Sequence, residues 1–457
     1  MAENTQYTTE LERIAGEANR FYTDVIDPLA QKLMFSRAPD PGARKGRPMV
    51  LLVGNHSSGK STLINYILGE EVQNTGVAPT DDSFTVISQG ATVEEKDGDS
   101  LVSNPELGFA ELRKYGPGLV SHLKLKLRES PALAGLTLID SPGMIDSANS
   151  SSDRGYDFTQ VVRWFAEQAD VILLMFDPDK PGTTGETLSV MRQALRDVSH
   201  KLILVLNKMD QFRNLHDFAR AYGALTWNLS KVIPTKDVPL IYNIYIPGPW
   251  VHKETALPIT DFDNARDQVL EEIQRAPMRR VDNILTRLFD NARYLHAHAR
   301  VVNEAAATYR RARLPWLIAI IGSALTGLAV AAWLWFDVGP RAISAVLAFG
   351  VGGLLFAAIL YAVSRVILAK RQTEIINGLT GIFERLYRDD YTLGDEADLS
   401  ALWSRIKDKV RRSIENIGLS KMPKTRRKDL LALEKIYKDF VPTLRAEIHD
   451  NKHAVDS

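Results

Sequence analysis

The chain has 457 residues, of which 45% are hydrophobic and 25% charged, a composition typical of packed proteins whose length predicts about two or three domains. Its 56 basic and 56 acidic residues balance, so no global field attracts nucleic acid, and none is expected as a partner. The absence of cysteine excludes disulfides and thiolate metal sites.

A phosphate-binding loop follows the first predicted strand. Residues 1–20 are polar and lack the apolar core of a signal peptide, whereas Met49–Val53 is a short apolar run typical of a buried parallel strand. The next residues match the Gly-x-x-x-x-Gly-Lys-Ser pattern, in which backbone N–H groups surround phosphate oxygens. They are Gly54, Asn55, His56, Ser57, Ser58, Gly59, Lys60 and Ser61. We expect Lys60 to reach the β- and γ-phosphates, Ser61 to ligate Mg²⁺, and the helix that starts near Thr62 to add N–H donors.

Two further segments fit the switch regions of a nucleotide-hydrolysing protein. Thr80 lies where a threonine would close on Mg²⁺, and the strand Leu136–Ile139 ends at Asp140, which can hold the metal through water. Gly143 follows and can sense the γ-phosphate through its N–H. The next residue is Met144, which cannot orient an attacking water. Hydrolysis therefore needs another group, such as His56, Ser57 or a second subunit. His56 has an alternative interpretation as a solvent-facing loop residue.

A third strand, Lys201–Leu206, ends in a base-recognition pattern. It continues into Asn207, Lys208, Met209 and Asp210, and a carboxylate at Asp210 can accept hydrogen bonds from guanine. Val171–Phe176 and Ile241–Ile246 supply more strands. The order of these pieces predicts an α/β P-loop NTPase of G-protein type, with a mostly parallel sheet.

Two uncharged apolar stretches, Leu314–Phe336 and Ala342–Ser364, lie close together later in the chain. Each has about 23 residues, and about 20 suffice for a helix that crosses a bilayer. Arginines precede the pair and cations follow it, which places both chain ends and the NTPase on the cytoplasmic side of an integral membrane protein with two spans. The alternative is a hairpin buried inside a large helical domain.

Small residues recur at four-residue intervals in both stretches, a pattern that lets helices approach closely in lipid. They are Ala319, Ser323, Gly327 and Ala331 in the first stretch, and Ser344, Ala348 and Gly352 in the second. Outside the stretches, Val269–Ala297 and Leu430–Leu444 have apolar residues at helical spacing. The basic run Lys421–Lys428 fits either a contact with anionic lipid or a solvated linker.

The chain resembles the EHD branch of the dynamin superfamily over residues 10–310 and again over 372–450. The motifs that carry this resemblance are Arg47–Gly54, Pro79–Phe84, Arg154–Phe158, Trp164–Glu167, Arg220–Trp227, Glu374–Phe383 and Tyr391–Leu399. The resemblance implies that residues 8–40 pack with 262–310 and 372–450 in a helical stalk. It also implies that Trp227 anchors a dimer of NTPase domains, with a buried core tryptophan as the alternative, and that Trp250 lies beside the base. Members of this branch carry the same base motif and bind ATP, so GTP and ATP both stay open.

The sequence therefore predicts six segments: a stalk segment over 1–46, a G domain over 47–255, stalk helices over 256–313 and 369–450, a transmembrane hairpin over 314–368 and a polar tail over 451–457. No EH domain follows in this sequence, so no EH-domain peptide partners are expected. The predicted function is a Mg²⁺-dependent triphosphatase that assembles with itself on a lipid bilayer and remodels it. The alternative is a membrane-anchored switch that recruits partners without remodelling.

Overall fold

The computed structural model describes residues 13–35, 47–76, 82–144, 154–179, 185–232, 240–248, 257–388 and 396–455. The described residues fall into two compact units. The first, here the sheet unit, extends to Ile284, and the second, here the helical unit, combines residues 13–35 with those from Leu285 onward. The predicted G-domain boundary at residue 255 stays a prediction.

The sheet unit contains one sheet of eight strands. They are β1 (Met49–Gly54), β2 (Phe84–Gln89), β3 (Glu94–Asp97), β4 (Leu123–Arg128), β5 (Thr137–Asp140), β6 (Val171–Phe176), β7 (Leu202–Leu206) and β8 (Ile241–Asn243). Their spatial order is β3-β4-β2-β5-β1-β6-β7-β8. The pairs β2–β5 and β3–β4 are antiparallel and the others are parallel. The predicted α/β fold with a mostly parallel sheet is confirmed.

Strand β1 lies between β5 and β6 and is buried on both faces. Because side chains of a strand alternate between the two faces, Leu51 and Val53 pack in one apolar core while Val50 and Leu52 pack in another. This explains why β1 is a continuous apolar run rather than an alternating one. The central position also places the loop after β1 at the carboxyl edge of the sheet, where ligands of open α/β sheets bind.

The helices occur in both units. They are α1 (Asp27–Lys32), α2 (Lys60–Leu68), α3 (Gly98–Ser103), α4 (Pro117–Val120), α5 (Phe158–Gln168), α6 (Gly185–Gln193), α7 (Leu215–Ser230), α8 (Ile259–Gln274), α9 (Ala276–Val338), α10 (Ile343–Asn377), α11 (Leu379–Leu386), α12 (Glu396–Ile417), α13 (Arg427–Lys435) and α14 (Val441–Val455). Single π-helical turns occur at Tyr22–Ile26 and Ile436–Phe440.

The helical unit packs residues 13–35 against helices from the second half of the chain. The rings of Phe21 and Phe440 lie 4.3 Å apart, and Asn291 Nδ2 donates to the hydroxyl of Tyr22 at 3.1 Å. His298, in the buried part of α9, contacts the ring of Phe35 edge-on at 5.1 Å. The apolar faces of residues 13–35 are therefore covered by helices that lie far later in sequence.

The two apolar stretches form the ends of α9 and the start of α10, joined by a short turn at Gly339–Ala342. In the most apolar window of each helix, 6% of the residues are buried inside the protein. Ile318, Leu325 and Leu355 are 64%, 61% and 60% exposed. The alternative of a hairpin buried in a helical domain is therefore wrong, because these side chains are mostly exposed in the part of the chain that is described.

The two helices approach most closely at small residues, but one predicted stripe is in the wrong register. A Cβ atom added to Gly327 would lie 2.7 Å from the Cα of Gly353, so both positions require glycine. The facing stripe on α10 continues with Ala357, whereas Ser344, Ala348 and Gly352 are exposed. A strict four-residue interval drifts by about 40° per step around a helix, and a contact face alternates intervals of three and four.

Candidate nucleotide site

The loop between β1 and α2 has a backbone that depends on two glycines. Gly59 has φ of 93°, and a Cβ there would lie 2.1 Å from Nδ2 of Asn207. A Cβ on Gly54 would lie 2.4 Å from the carbonyl oxygen of Met175. Ser57 also adopts a positive φ, of 64°. The loop is thus a close-packed turn, and it positions the first N–H groups of α2 toward one cavity.

Lys60 is buried and its ammonium group is held by its own loop. Nζ donates to the carbonyl oxygens of Gly54 and Asn55 at 3.1 and 3.3 Å. Burial lowers the pKa of Lys60, the negative charge of Asp140 partly offsets this, and the positive charge of Arg154 lowers the pKa further. A buried cation whose pKa is lowered by desolvation gains from an anionic ligand, because charge-assisted hydrogen bonds to phosphate are stronger than those to carbonyls.

The predicted metal residues Ser61 and Asp140 lie in contact. Ser61 Oγ donates to Asp140 Oδ2 at 2.9 Å, and Gln73 Nε2 donates to the same oxygen at 2.8 Å. Within the described ranges, no three His, Cys, Asp or Glu residues form a metal-binding group. These hard oxygen donors fit Mg²⁺, which keeps several waters and takes one or two protein ligands plus substrate phosphates.

A cavity of about 570 Å³ lies over the loop. Its lining includes the predicted residues His56, Ser57, Gly59, Lys60, Ser61, Thr62, Asp140, Gly143 and Lys208, and also Asn74, Thr75, Gly76, Ser83 and Ser141. The side chain of His56 is half-buried and borders this cavity, so its catalytic role and its alternative as a solvent-facing loop residue both stay predictions. The five additional residues were missed, although the small polar run 74–76 just before the first switch is a signal for them.

The second switch packs tightly on the loop. The N–H of His56 donates to the carbonyl of Met144 at 3.2 Å, and a Cβ added to Gly143 would lie 2.7 Å from the Cα of His56. Arg154 donates to the carbonyl oxygen of Gly143 at 2.8 Å and forms a buried ion pair with Glu186 at 3.4 Å. The sequence did not assign this role to Arg154, because the contact depends on how the chain returns to the switch.

Asn207 of the base-recognition motif also contacts the phosphate-binding loop. Asn207 Nδ2 donates to the carbonyl of Ser58 at 3.0 Å, and Lys208 Nζ pairs with Asp177 at 2.7 Å. Asp210 lies in the one-turn helix Met209–Gln211, is partly exposed and does not line the cavity of the described residues. Two other predicted site residues, Thr80 and Trp250, lie outside the described residues.

Trp227 lies on α7 and is 68% exposed, so its alternative as a buried core residue is wrong. The ammonium group of Lys231 lies 5.2 Å from the centre of the indole ring. A large exposed aromatic side chain is typical of an interface. The dimer contact itself stays a prediction.

Comparison with known proteins finds similarity to one family over part of the chain. A family model described as the Dynamin family matches residues 50–209. EH domain-containing protein 1 of Homo sapiens is 31% identical over 300 residues, which cover 64% of this chain and 55% of that protein. EH domain-containing protein 2 of Rattus norvegicus is 32% identical over 310 residues, which cover 65% of this chain and 55% of that protein. The chain thus spans about half the length of the curated relatives that it matches.

Among solved structures, an oligomerised bacterial dynamin pair, described as providing a mechanism for the long-range sensing and tethering of membranes, is similar at 14% identity. The similarity covers 98% of this chain and 80% of that one, with a TM-score of 0.37. The family match over residues 50–209, which include the phosphate loop and the second switch, and the EH domain-containing relatives support the resemblance of this chain to the EHD branch of the dynamin superfamily.

Proposed function

We propose that this protein is a membrane-embedded, Mg²⁺-dependent nucleoside triphosphatase that assembles with itself and remodels the bilayer. One observation carries the proposal: a phosphate-loop cavity and a hairpin that is apolar on its exposed faces occur in the same chain. The cavity supports hydrolysis at the β–γ phosphoanhydride, and the hairpin supports a permanent membrane anchor.

In the proposed site, Lys60 and the N–H groups from Asn55 to Thr62 bind the phosphates. Ser61 and Asp140 would hold Mg²⁺, the latter through water, and Thr80 would join them; bound Mg²⁺ supplies charge neutralisation on the phosphate oxygens. The N–H of Gly143 faces the γ-phosphate. His56 or Ser57 orients the attacking water, because the side chain of Met144 is apolar and 2% exposed.

The base is recognised by Asn207, Lys208 and Asp210, with Trp250 beside it. The carboxylate of Asp210 favours guanine, which offers two N–H donors where adenine offers none, while the EHD-like sequence favours adenine. A competition titration with GTP and ATP against a fluorescent triphosphate analogue decides between them. An Asp210→Asn variant should weaken GTP binding by roughly tenfold or more and leave ATP binding unchanged if guanine is the substrate base.

The membrane part of the proposal is supported by the exposure of the hairpin. Large apolar side chains such as Leu325 and Leu355 are more than half exposed, and full burial of such a side chain is worth about 1.5–3 kcal/mol. Summed over two helices, the apolar surface left in water is costly enough to require lipid or a partner. The cationic flanks at Arg310–Arg313 and Arg365–Arg371 favour cytoplasmic ends.

Reconstitution of the full chain in liposomes tests the proposal. We expect triphosphate hydrolysis that rises with protein density on the membrane, and its loss in Lys60→Ala. The control Lys114→Ala removes an exposed lysine whose contacts are a surface ion pair with Glu111 and the ring of Tyr115, and it should keep the wild-type rate. Tubulated or fragmented vesicles would support remodelling. Triphosphate-dependent dimers on unchanged vesicles would instead support the switch.

A further inference from the structure

A second cavity, of about 450 Å³, lies in the helical unit and has a basic lining. Its charged residues are Arg300, Glu304, Arg310 and Arg311 of α9 and Lys424, which precedes α13. Lys424 belongs to the basic run Lys421–Lys428, for which the sequence left a lipid contact and a solvated linker open. The structure places one member of that run beside the cations that precede the first apolar stretch.

The backbone around Lys424 is fixed on α9. Asn303 Nδ2 donates to the carbonyl of Thr425 at 3.2 Å, and the N–H of Thr425 donates to Asn303 Oδ1 at 3.0 Å. Lys32 Nζ donates to the carbonyl of Lys424 at 3.2 Å. These three bonds hold the middle of the basic run in one register against the helix. The cavity is therefore preformed, which lowers the entropic cost of binding a ligand there.

The cations of this cavity exceed its anions. Arg311 pairs with Glu304 at 3.4 Å, while Arg300 donates to the carbonyl of Leu386 at 3.1 Å. The side chains of Arg310 and Lys424 are exposed and make no hydrogen bond or ion pair with the described residues. The positive charges of Arg310 and Lys424 face one cavity and repel each other. A phosphate group bound there would accept charge-assisted hydrogen bonds from both side chains.

The position of the cavity along α9 indicates which phosphate it meets. Arg310 precedes Leu314, the first residue of the apolar stretch, by about one helical turn, roughly 6 Å at 1.5 Å per residue. The polar layer of a bilayer is about 5–7 Å deep on each side. The remaining wall includes the apolar side chains of Ala307, Leu386 and Leu430, which suit a glycerol backbone better than free phosphate.

We propose that this cavity binds the phosphate headgroup of an anionic lipid in the cytoplasm-facing leaflet, with Arg310 and Lys424 as its ligands. The proposal rests on the membrane insertion of the hairpin. It gives the basic run a specific task, which is to bind one lipid molecule next to the anchor rather than to add diffuse charge.

The test is a titration of the full chain in non-ionic detergent with short-chain lipids. The probes are dihexanoyl phosphatidylglycerol, dihexanoyl phosphatidylcholine and inorganic phosphate, and bound lipid is counted by native mass spectrometry. We expect saturable binding of one phosphatidylglycerol, and binding of the other two probes that is at least about tenfold weaker. The double variant R310Q/K424Q should lose about tenfold or more in affinity, and R310K/K424R, which keeps the charges, should retain most of it.

The matched control is R365Q/K370Q, which removes two exposed cations near the end of the second apolar stretch and outside the cavity. It should bind phosphatidylglycerol like the wild type. An equal loss in both glutamine variants, no loss in either, or inorganic phosphate binding as tightly as the lipid would overturn the proposal. Carbonate extraction of native membranes tests the anchor separately, because the detergent titration reports on the cavity even if the hairpin is not inserted.

Discussion

Replacement of one exposed leucine in each apolar stretch by arginine separates a lipid-facing hairpin from a water-facing one. Leu325 and Leu355 lie near the middle of the two stretches and are 61% and 60% exposed. If water surrounded them, arginine would change stability by no more than about 0.5 kcal/mol, as at other exposed positions. If lipid surrounds them, each arginine costs about 2.5–3.5 kcal/mol and removes about 0.3–0.6 kcal/mol contributed by leucine. The double variant then loses roughly 6–8 kcal/mol of insertion free energy.

The assay is cell-free synthesis in the presence of membranes, followed by carbonate extraction and quantification of the resistant fraction. The single variants each disfavour insertion by roughly a hundredfold or more, and the double variant should shift most of the chain to the supernatant or to aggregates. Val93→Arg is the control, because Val93 is 65% exposed in the sheet unit and should not affect extraction. An unchanged resistant fraction in the double variant would refute the assignment of these faces to lipid.

Four further predictions concern other parts of the chain. The ring nitrogens of His298 have no hydrogen-bond partner among the described residues, so His298→Leu should raise the free energy of unfolding by about 1–3 kcal/mol in detergent. Burial lowers the pKa of His298 to about 3 and that of His296 to about 4, so both stay neutral when folded and the unfolded chain binds more protons below pH 6.5. Stability should therefore fall as the pH drops from 6.5 toward 4, by up to about 1.4 kcal/mol per pH unit and residue, and His298→Leu should make this slope shallower in thermal melts. Arg154→Gln frees the carbonyl of Gly143 and should lower kcat at least about tenfold with little change in nucleotide affinity; an unchanged kcat would contradict a role in placing the switch. Trp227→Ala should weaken triphosphate-dependent dimers in analytical ultracentrifugation, while monomers as stable as the wild type would show that the change is confined to the interface.

Much of the sheet unit could be predicted because its signals are local. The apolar run Met49–Val53 predicts a strand that is buried on both faces. The observed strand β1 is one residue longer and ends at Gly54. The helix stripe that failed was also read locally. Ser344, Ala348 and Gly352 follow one another at four-residue intervals, which suggests a contact face. The packing against α9 shows instead that Gly353 is the residue in contact.

The candidate site shows the same limit. The spacing of motif residues predicts the phosphate-binding loop and Asp140. It does not predict that the hydroxyl of Thr187 donates to the amide oxygen of Asn55 at 2.6 Å, because the two residues are 132 positions apart. Arg154 lies in a motif that the sequence singled out, yet its contact with Gly143 depends on tertiary structure. Contacts of this kind are not encoded by the identity of neighbouring residues, so only the folded chain reveals them.

The packing of residues 13–35 against residues near 440 in the helical unit has a consequence for synthesis on the ribosome. Phe21 packs against Phe440, and Arg13 pairs with Glu447, a partner 434 positions later. The sheet unit can fold as soon as its own residues emerge, but residues 13–35 must wait until nearly the whole chain has been translated. During that interval the apolar face of residues 13–35 is exposed. A nascent chain that is halted before α13 is therefore expected to bind chaperones.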